Sequence, residues 1–152
     1  MLSNVEKGTE YEKYIKNYLE QQNPSNNYWL WKDIPEVELR KSGILGNWNV
    51  FRFNRKRNNQ IAKEENKLID TGIDVLAKTN DKYIIIQCKN YAENNYVTVL
   101  DLAGFHMMVS HYELKGIVYY TSKLSSHITS QKPTDKIKYI KNLTEQILNF
   151  YY

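Results

Sequence analysis

The sequence predicts a single α/β domain whose mixed β-sheet is covered by helices on both faces. Three patterns carry that expectation: an amphipathic helical stripe near the start, two β-rich runs joined by a tight turn in the middle, and a nearly unbroken apolar strand followed by a second helical stripe. Their order, helix–β–β–β–helix–β–helix, belongs to a layered α/β arrangement. At 152 residues and 41% hydrophobic content the chain can build one proper core and is too short for two domains of ordinary size. We therefore read residues 1–152 as one domain.

In chain order, Tyr11, Tyr14, Ile15, Tyr18 and Leu19 fall at helical spacing, which predicts a helix from about Thr9 to Gln22 ended by Asn23-Pro24-Ser25. Glu12 and Glu10 lie on opposite borders of that stripe. Either is placed to reach a cleft, and either also suits a solvated first-turn acid favoured by the helix macrodipole. Tyr28 to Ile34 is an aromatic strand stopped by Pro35. Glu36 to Lys67 shows no clear period and reads as a basic insertion, the least ordered part of the domain. Within it, Arg52, Arg55, Lys56 and Arg57 carry four cations without an acid, interleaved with Phe53. That composition suits phosphate contact and base stacking, and equally a solvated loop.

Asp74 to Lys78 and Tyr83 to Lys89 then form two strands around Asn80-Asp81, a hairpin signal. With Asn80 and Asp81 as the central turn residues, Thr79 pairs with Lys82, Ala77 with Ile84, and Asp74 faces Gln87. Lys89 shares the face of Gln87 because side chains alternate along a strand. Cross-strand partners sit with Cβ atoms roughly 4.5–5.5 Å apart, so Asp74, Gln87 and Lys89 converge at one end of the hairpin. An acid, an amide oxygen and an ammonium there suit a divalent cation and a phosphate. A polar edge kept for solubility would show the same residues. Cys88 points to the other face as a small core residue.

Val97 to Leu114 reads as a helix with Leu100, Ala103, Met107 and Leu114 on its apolar side, widened by Phe105 and Met108, and with Gly104 allowing close approach to the sheet. His106 and His111 are five residues apart, on different helix faces, which argues against a shared metal. Gly116 to Ser122 is a central strand, Ser125 to Ser130 a polar turn, and Thr134 to Phe150 a last helix with Ile137, Ile140, Leu143, Ile147 and Phe150 on one face.

Composition sets the outer limits. A net charge of +4 allows a polyanionic partner without requiring one. A lone cysteine, Cys88, excludes an internal disulfide and argues against a cysteine-based zinc site. No apolar run approaches the roughly 18–20 residues that span a bilayer, so no membrane association is expected. The start of the chain lacks the apolar core of a signal peptide, and an intracellular protein is the expectation.

The pattern Gly72-Ile73-Asp74, twelve residues, Gln87-Cys88-Lys89 resembles the Mrr-like branch of the PD-(D/E)XK nuclease superfamily, in which Gln often replaces the first acid of the (D/E)XK element. Gly8-Thr9-Glu10-Tyr11-Glu12 is similar to that family's opening helix and favours Glu12 over Glu10. Lys115-Gly116-Ile117-Val118 with Thr121-Ser122 is similar to its later strand. The resemblance covers most of the chain outside Glu36 to Lys67. It implies a restriction-endonuclease-like αβββαβ core plus a C-terminal helix, and Mg²⁺-dependent hydrolysis of DNA phosphodiesters, with Mn²⁺ able to substitute. By position it makes Asp74 the metal-binding acid, Gln87 the second ligand, Lys89 the catalytic lysine, Glu12 an auxiliary ligand or acid, and Tyr91 a phosphate or base neighbour. Two other outcomes stay open: a DNA-binding module that keeps the fold without cutting, and a nuclease directed at junctions or ends within a larger assembly. Double-strand cleavage would call for a homodimer, and specificity for a helicase or target-recognition partner.

Overall fold

The computed structural model describes residues 3–44, 72–130 and 136–142. The first helix, α1 (Asn4–Gln22), begins earlier than its apolar stripe suggests, because the Ser3 side chain accepts the Glu6 backbone N–H at 3.1 Å and caps it. Ile15 and Leu19 are fully buried and Tyr11 and Tyr18 pack beside them, whereas Tyr14 is 58% exposed and stacks on Tyr11 instead of entering the core.

Strand β1 (Asn27–Leu30) is shorter than the aromatic run: Trp31–Asp33 closes into a 3-10 turn that buries Trp31 and leads Ile34 into the core. After Pro35 the structure departs from the irregular segment expected there. Glu36–Ser42 is a helix, α2, with a Glu36–Arg40 ion pair at 3.1 Å, a buried Leu39, and Gly43 at φ 88° as its left-handed stop. The basic run Arg52, Arg55, Lys56 and Arg57 lies outside the described residues.

The hairpin forms as the sequence indicates. Strands β2 (Val75–Thr79) and β3 (Lys82–Lys89) pair antiparallel with Thr79 opposite Lys82 and Ala77 opposite Ile84. Asn80 and Asp81 both take positive φ, 49° and 64°, which matches the right-handed twist of the flanking strands.

Past the hairpin, the long helix expected from Val97 divides. Strand β4 (Tyr96–Val97) comes first, then a 3-10 turn (Leu100–Leu102), and then helix α3 (Ala103–Tyr112). Its buried side is Phe105, Met108 and Val109, with Leu102 before them; Leu100 is 85% and Met107 50% exposed, and Ala103 is exposed too. The run is apolar nearly all round, so two stripes fit the same spacing and periodicity alone selects the wrong one. Gly104 is exposed rather than pressed on the sheet. Close approach occurs at Gly116, where a Cβ would stand 2.6 Å from the Phe105 ring.

Strand β5 (Lys115–Tyr120) is central, as its apolar run predicts, and β6 (Lys123–Leu124) pairs with β4 in a separate two-stranded ladder before the one-turn helix α4 (Ser126–Thr129). The larger correction is at the C-terminal end. Ile137–Lys141 is not the opening of a helix but a strand, β7, parallel to β5. A buried parallel strand needs both edges paired, and β7 supplies the second partner of β5. Leu143, Ile147 and Phe150 lie outside the described residues.

The resulting sheet runs β1-β2-β3-β5-β7, antiparallel on one side of β3 and parallel on the other. One face packs Val75, Ile84, Ile86, Ile117, Tyr119 and Ile140 against Ile15 and Leu19 of α1. The other packs Leu76, Ile85 and Val118 against Leu102, Phe105, Met108 and Val109. The expected two-sided covering is what the chain builds.

Candidate active site

At the end of β3 the sheet opens, and the opening is encoded by Gly72. Its φ of 84° turns the chain into Ile73 and Asp74, and a Cβ there would stand 2.8 Å from the Phe105 backbone nitrogen and 3.0 Å from Gln87 Oε1. Asp74 stays tied to both neighbours by backbone bonds: its N–H donates to Ile86 O at 2.8 Å and its carbonyl accepts Trp31 N–H at 2.9 Å. Beyond it the β2 ladder ends, so the Cys88 N–H has no strand carbonyl to meet. The Asp74 carboxylate takes that place, accepting the Cys88 N–H at 2.7 Å and the Gln87 Nε2–H at 3.0 Å on the same oxygen, Oδ2.

Asp74, Gln87, Lys89 and Glu12 thus line one cavity of about 580 Å³, joined by Gly8 and Thr9 of α1 and by Asp101 and Gly104 of the α3 approach. Glu12, half-buried on α1, hydrogen-bonds the Asp74 carboxyl; Glu10 is exposed and pairs with Lys13 at 3.9 Å, so the helix acid at the cavity is Glu12. Burial first, and then the Glu12 charge, push the Asp74 carboxyl well above the usual range, with the Cys88 N–H and the Lys89 ammonium pulling the other way. Cys88 packs with the α1 cluster, and burial is the chief cause that pushes its thiol well up.

Tyr91 is half-buried, with its ring 6.0 Å from Lys89 Nζ; burial first, and then the Asp101 charge, push its hydroxyl above the ordinary value. Asp101 is itself anchored: its carboxylate accepts the Thr98 N–H at 2.8 Å and its N–H reaches the Thr98 hydroxyl at 3.2 Å, a reciprocal cap. Asp101 and the structural part of Gly72 lie outside what the sequence alone predicts for the site. The Thr98-x-x-Asp101 spacing was the signal for the first, and the glycine two residues before the acid for the second. The histidines stay apart, His106 meeting the Tyr139 hydroxyl at 3.0 Å and His111 standing edge-on to Tyr112.

A divalent cation is tested by two observations. Among the described residues no group of three or more His, Cys, Asp or Glu side chains gathers at one point. Mg²⁺ nevertheless takes only one or two carboxylates beside waters and substrate phosphates, and Asp74 and Glu12 supply that number. Gln87 is 4% exposed, yet its Oε1 has no hydrogen-bond partner among the described residues. A buried amide oxygen without a partner among the described residues, beside two adjoining carboxyls, fits a cation.

A helix-flanked mixed sheet whose hairpin carries GID and QCK is the core of a PD-(D/E)XK-type nuclease. The chain belongs to the Mrr-like restriction endonuclease family: the model of that family, described as "Restriction endonuclease", matches residues 49–149. Among solved structures the chain is similar to the pre-specific restriction endonuclease BsaWI in complex with DNA, at 14% identity and a TM-score of 0.44. That similarity covers 89% of this chain and 56% of the other, so the chain spans little more than half of that enzyme's length. No curated protein matches. Among the described residues no helix is long and apolar enough to cross a membrane.

Proposed function

We propose that the domain is a Mg²⁺-dependent endodeoxyribonuclease in which Asp74, Glu12 and the Gln87 side-chain oxygen hold the cation. Mn²⁺ is expected to serve in its place. The observation that carries this is the convergence of the two acids, the partnerless buried amide oxygen and Lys89 on one cavity at the open end of β3. A bound cation would activate a water and offset charge developing on a phosphodiester. The chain's own part is positional. Asp74 is fixed by two backbone bonds and by the Cys88 N–H, so its carboxylate needs no reorganisation to bind. Lys89 sets a positive charge at the cavity wall, where it orients the phosphodiester and offsets its charge. Tyr91, against Lys89 on one side and Asp101 on the other, holds that ammonium in place.

Incubation with supercoiled plasmid and Mg²⁺ or Mn²⁺ tests the proposal. Cleavage is expected from the unsubstituted chain and is expected to vanish in Asp74→Ala and Lys89→Ala. Cutting undiminished in both variants would sink it.

One observation favours a second reading, a DNA-binding module that does not cut. Gln87 places an amide where the superfamily motif carries an acid, and it meets Asp74 through its Nε2 donor. Salt-dependent DNA binding with no cleavage under any divalent ion would support that reading over the first. A homodimer, or attachment to a helicase or target-recognition subunit, would complete either function.

A further inference from the structure

A second cavity of about 550 Å³ adjoins the first, sharing Asn4, Gly8, Cys88 and Lys89 with it. The two differ in charge. The first is lined by Glu12, Asp74 and Asp101 with one cation, Lys89. The second is lined by Lys7 and Lys89 with Asn90, Tyr91 and Asn95, and no acid among the described residues lines it.

Two of its lining residues are tied to their surroundings. The Thr121 hydroxyl shares its hydrogen between Tyr91 O at 2.9 Å and Asn90 Oδ1 at 3.2 Å, which leaves the Asn90 Nδ2 hydrogens uncommitted in that contact. Asn95 is tied through its backbone, donating to Ala92 O at 2.9 Å and accepting the Lys123 N–H at 3.2 Å. Lys89 stands over Tyr91, at the wall between the two cavities. A hollow with two ammonium groups, amide side chains and no acid among the described residues is matched to an anion, and its size admits a phosphate with its sugar.

We propose that this second cavity is a subsite for a backbone phosphate of a nucleic-acid strand, the one flanking the phosphodiester in the acidic cavity. Lys7 and Asn90 are its contacts, and Lys89 stands between the two phosphates. The subsite rests on the nuclease reading for the identity of its ligand but not for its test.

Binding of the full chain to a short DNA duplex is measured by fluorescence anisotropy in EDTA, across a salt series. Lys7→Ala is compared with Lys41→Ala, an exposed lysine of α2 that removes the same charge away from the cavity. Lys7→Ala weakens binding roughly three- to tenfold and lowers the salt slope by about 1, while Lys41→Ala stays within about twofold. Amide spectra add a second measure: the Asn90 and Asn95 side-chain signals move with duplex and not with inorganic phosphate at equal phosphate concentration. Equal effects of the two lysine variants, failure of the unsubstituted chain to bind duplex, or the same shifts with free phosphate would each overturn the subsite. Cleavage is read separately. A chain that cuts while its two lysine variants bind alike loses the subsite and keeps the nuclease. A chain that never cuts, yet binds less well with Lys7→Ala, keeps the subsite and loses the nuclease.

Discussion

Gln87 is the residue on which the chemistry turns. Its Nε2 donates a hydrogen bond to Asp74, and its buried Oε1 has no partner among the described residues. Gln87→Glu would set a third carboxyl beside Asp74 and Glu12. In EDTA that variant is expected to lose about 1–3 kcal/mol of stability, because the amide's donor is replaced by a like charge in a buried place. With Mn²⁺ the order reverses, and the midpoint of a Mn²⁺ titration followed by thermal shift falls below that of the unsubstituted chain. A midpoint unmoved by the substitution would remove Gln87 from the cation site. Gly72 permits a cleaner comparison, since Gly43 has a similar φ, 88° against 84°, but no atom of the described residues within 4 Å of its missing Cβ. Gly43→Ala pays the backbone term alone, about 1 kcal/mol, whereas Gly72→Ala also collides with Phe105 and Gln87 and costs about 2–3 kcal/mol, as urea midpoints would register. The facing of Asp74 and Gln87 was legible because a two-residue turn fixes the register of everything behind it, and Asn80-Asp81 announces such a turn. The carboxylate's bond to the Cys88 N–H was not, since it depends on where the neighbouring strand stops.

At the scale of elements, legibility followed range. Helix α1 and the hairpin are written in local spacing, and β5 in its apolar run. For helix α3 the spacing is right about Phe105 and Met108 but misplaces the centre of the stripe, because Leu100, Ala103 and Met107 repeat as well as Leu102, Phe105 and Val109, and only the sheet chooses between them. Strand β7 was missed because Ile137 and Ile140 fit helical spacing, while the unpaired edge of β5 that recruits them lies some twenty residues away in sequence. Helix α2 carried readable stop signals, but its anchor is non-local. Glu38 accepts the Tyr83 hydroxyl at 2.6 Å and pairs with Lys78 at 3.2 Å, tying α2 to the hairpin. The Tyr83 hydroxyl, with Lys78 beside it, holds the Glu38 carboxyl below its ordinary value of 4.5 against the opposing pull of burial. A carboxyl whose folded value lies below its unfolded one contributes stability above the unfolded value and loses it as pH falls. The stability difference between the unsubstituted chain and Glu38→Gln is therefore expected to be constant from neutral pH to about 5 and to shrink below 4.5, as paired urea titrations would show. Tyr83→Phe should cost about 1 kcal/mol at pH 7 and reduce the same acid-limb difference.

For the whole molecule, the decisive feature is that strands β2, β3 and β5 each give side chains to both clusters, Leu76, Ile85 and Val118 to one face and Val75, Ile84, Ile117 and Tyr119 to the other. Neither face can lose its cover without baring the strands that carry Asp74, Gln87 and Lys89. The two layers should therefore melt together, although one owes its cover to α1 and the other to α3. Leu19 and Met108, both 0% exposed, probe the two faces separately. Leu19→Ala and Met108→Ala are each expected to cost about 2–5 kcal/mol, and each should shift one common transition, with far-ultraviolet circular dichroism and tyrosine fluorescence moving together. The site follows from the same coupling. Glu12 rides on α1 and Asp101 on the approach to α3, so the cavity is assembled only when both layers are in place. A Leu19→Ala chain whose α3 side stayed native while α1 detached would give two separate transitions. Two layers that melt independently in this way would mean that the cavity is closed by docking of α1 and not by folding of the domain as one unit.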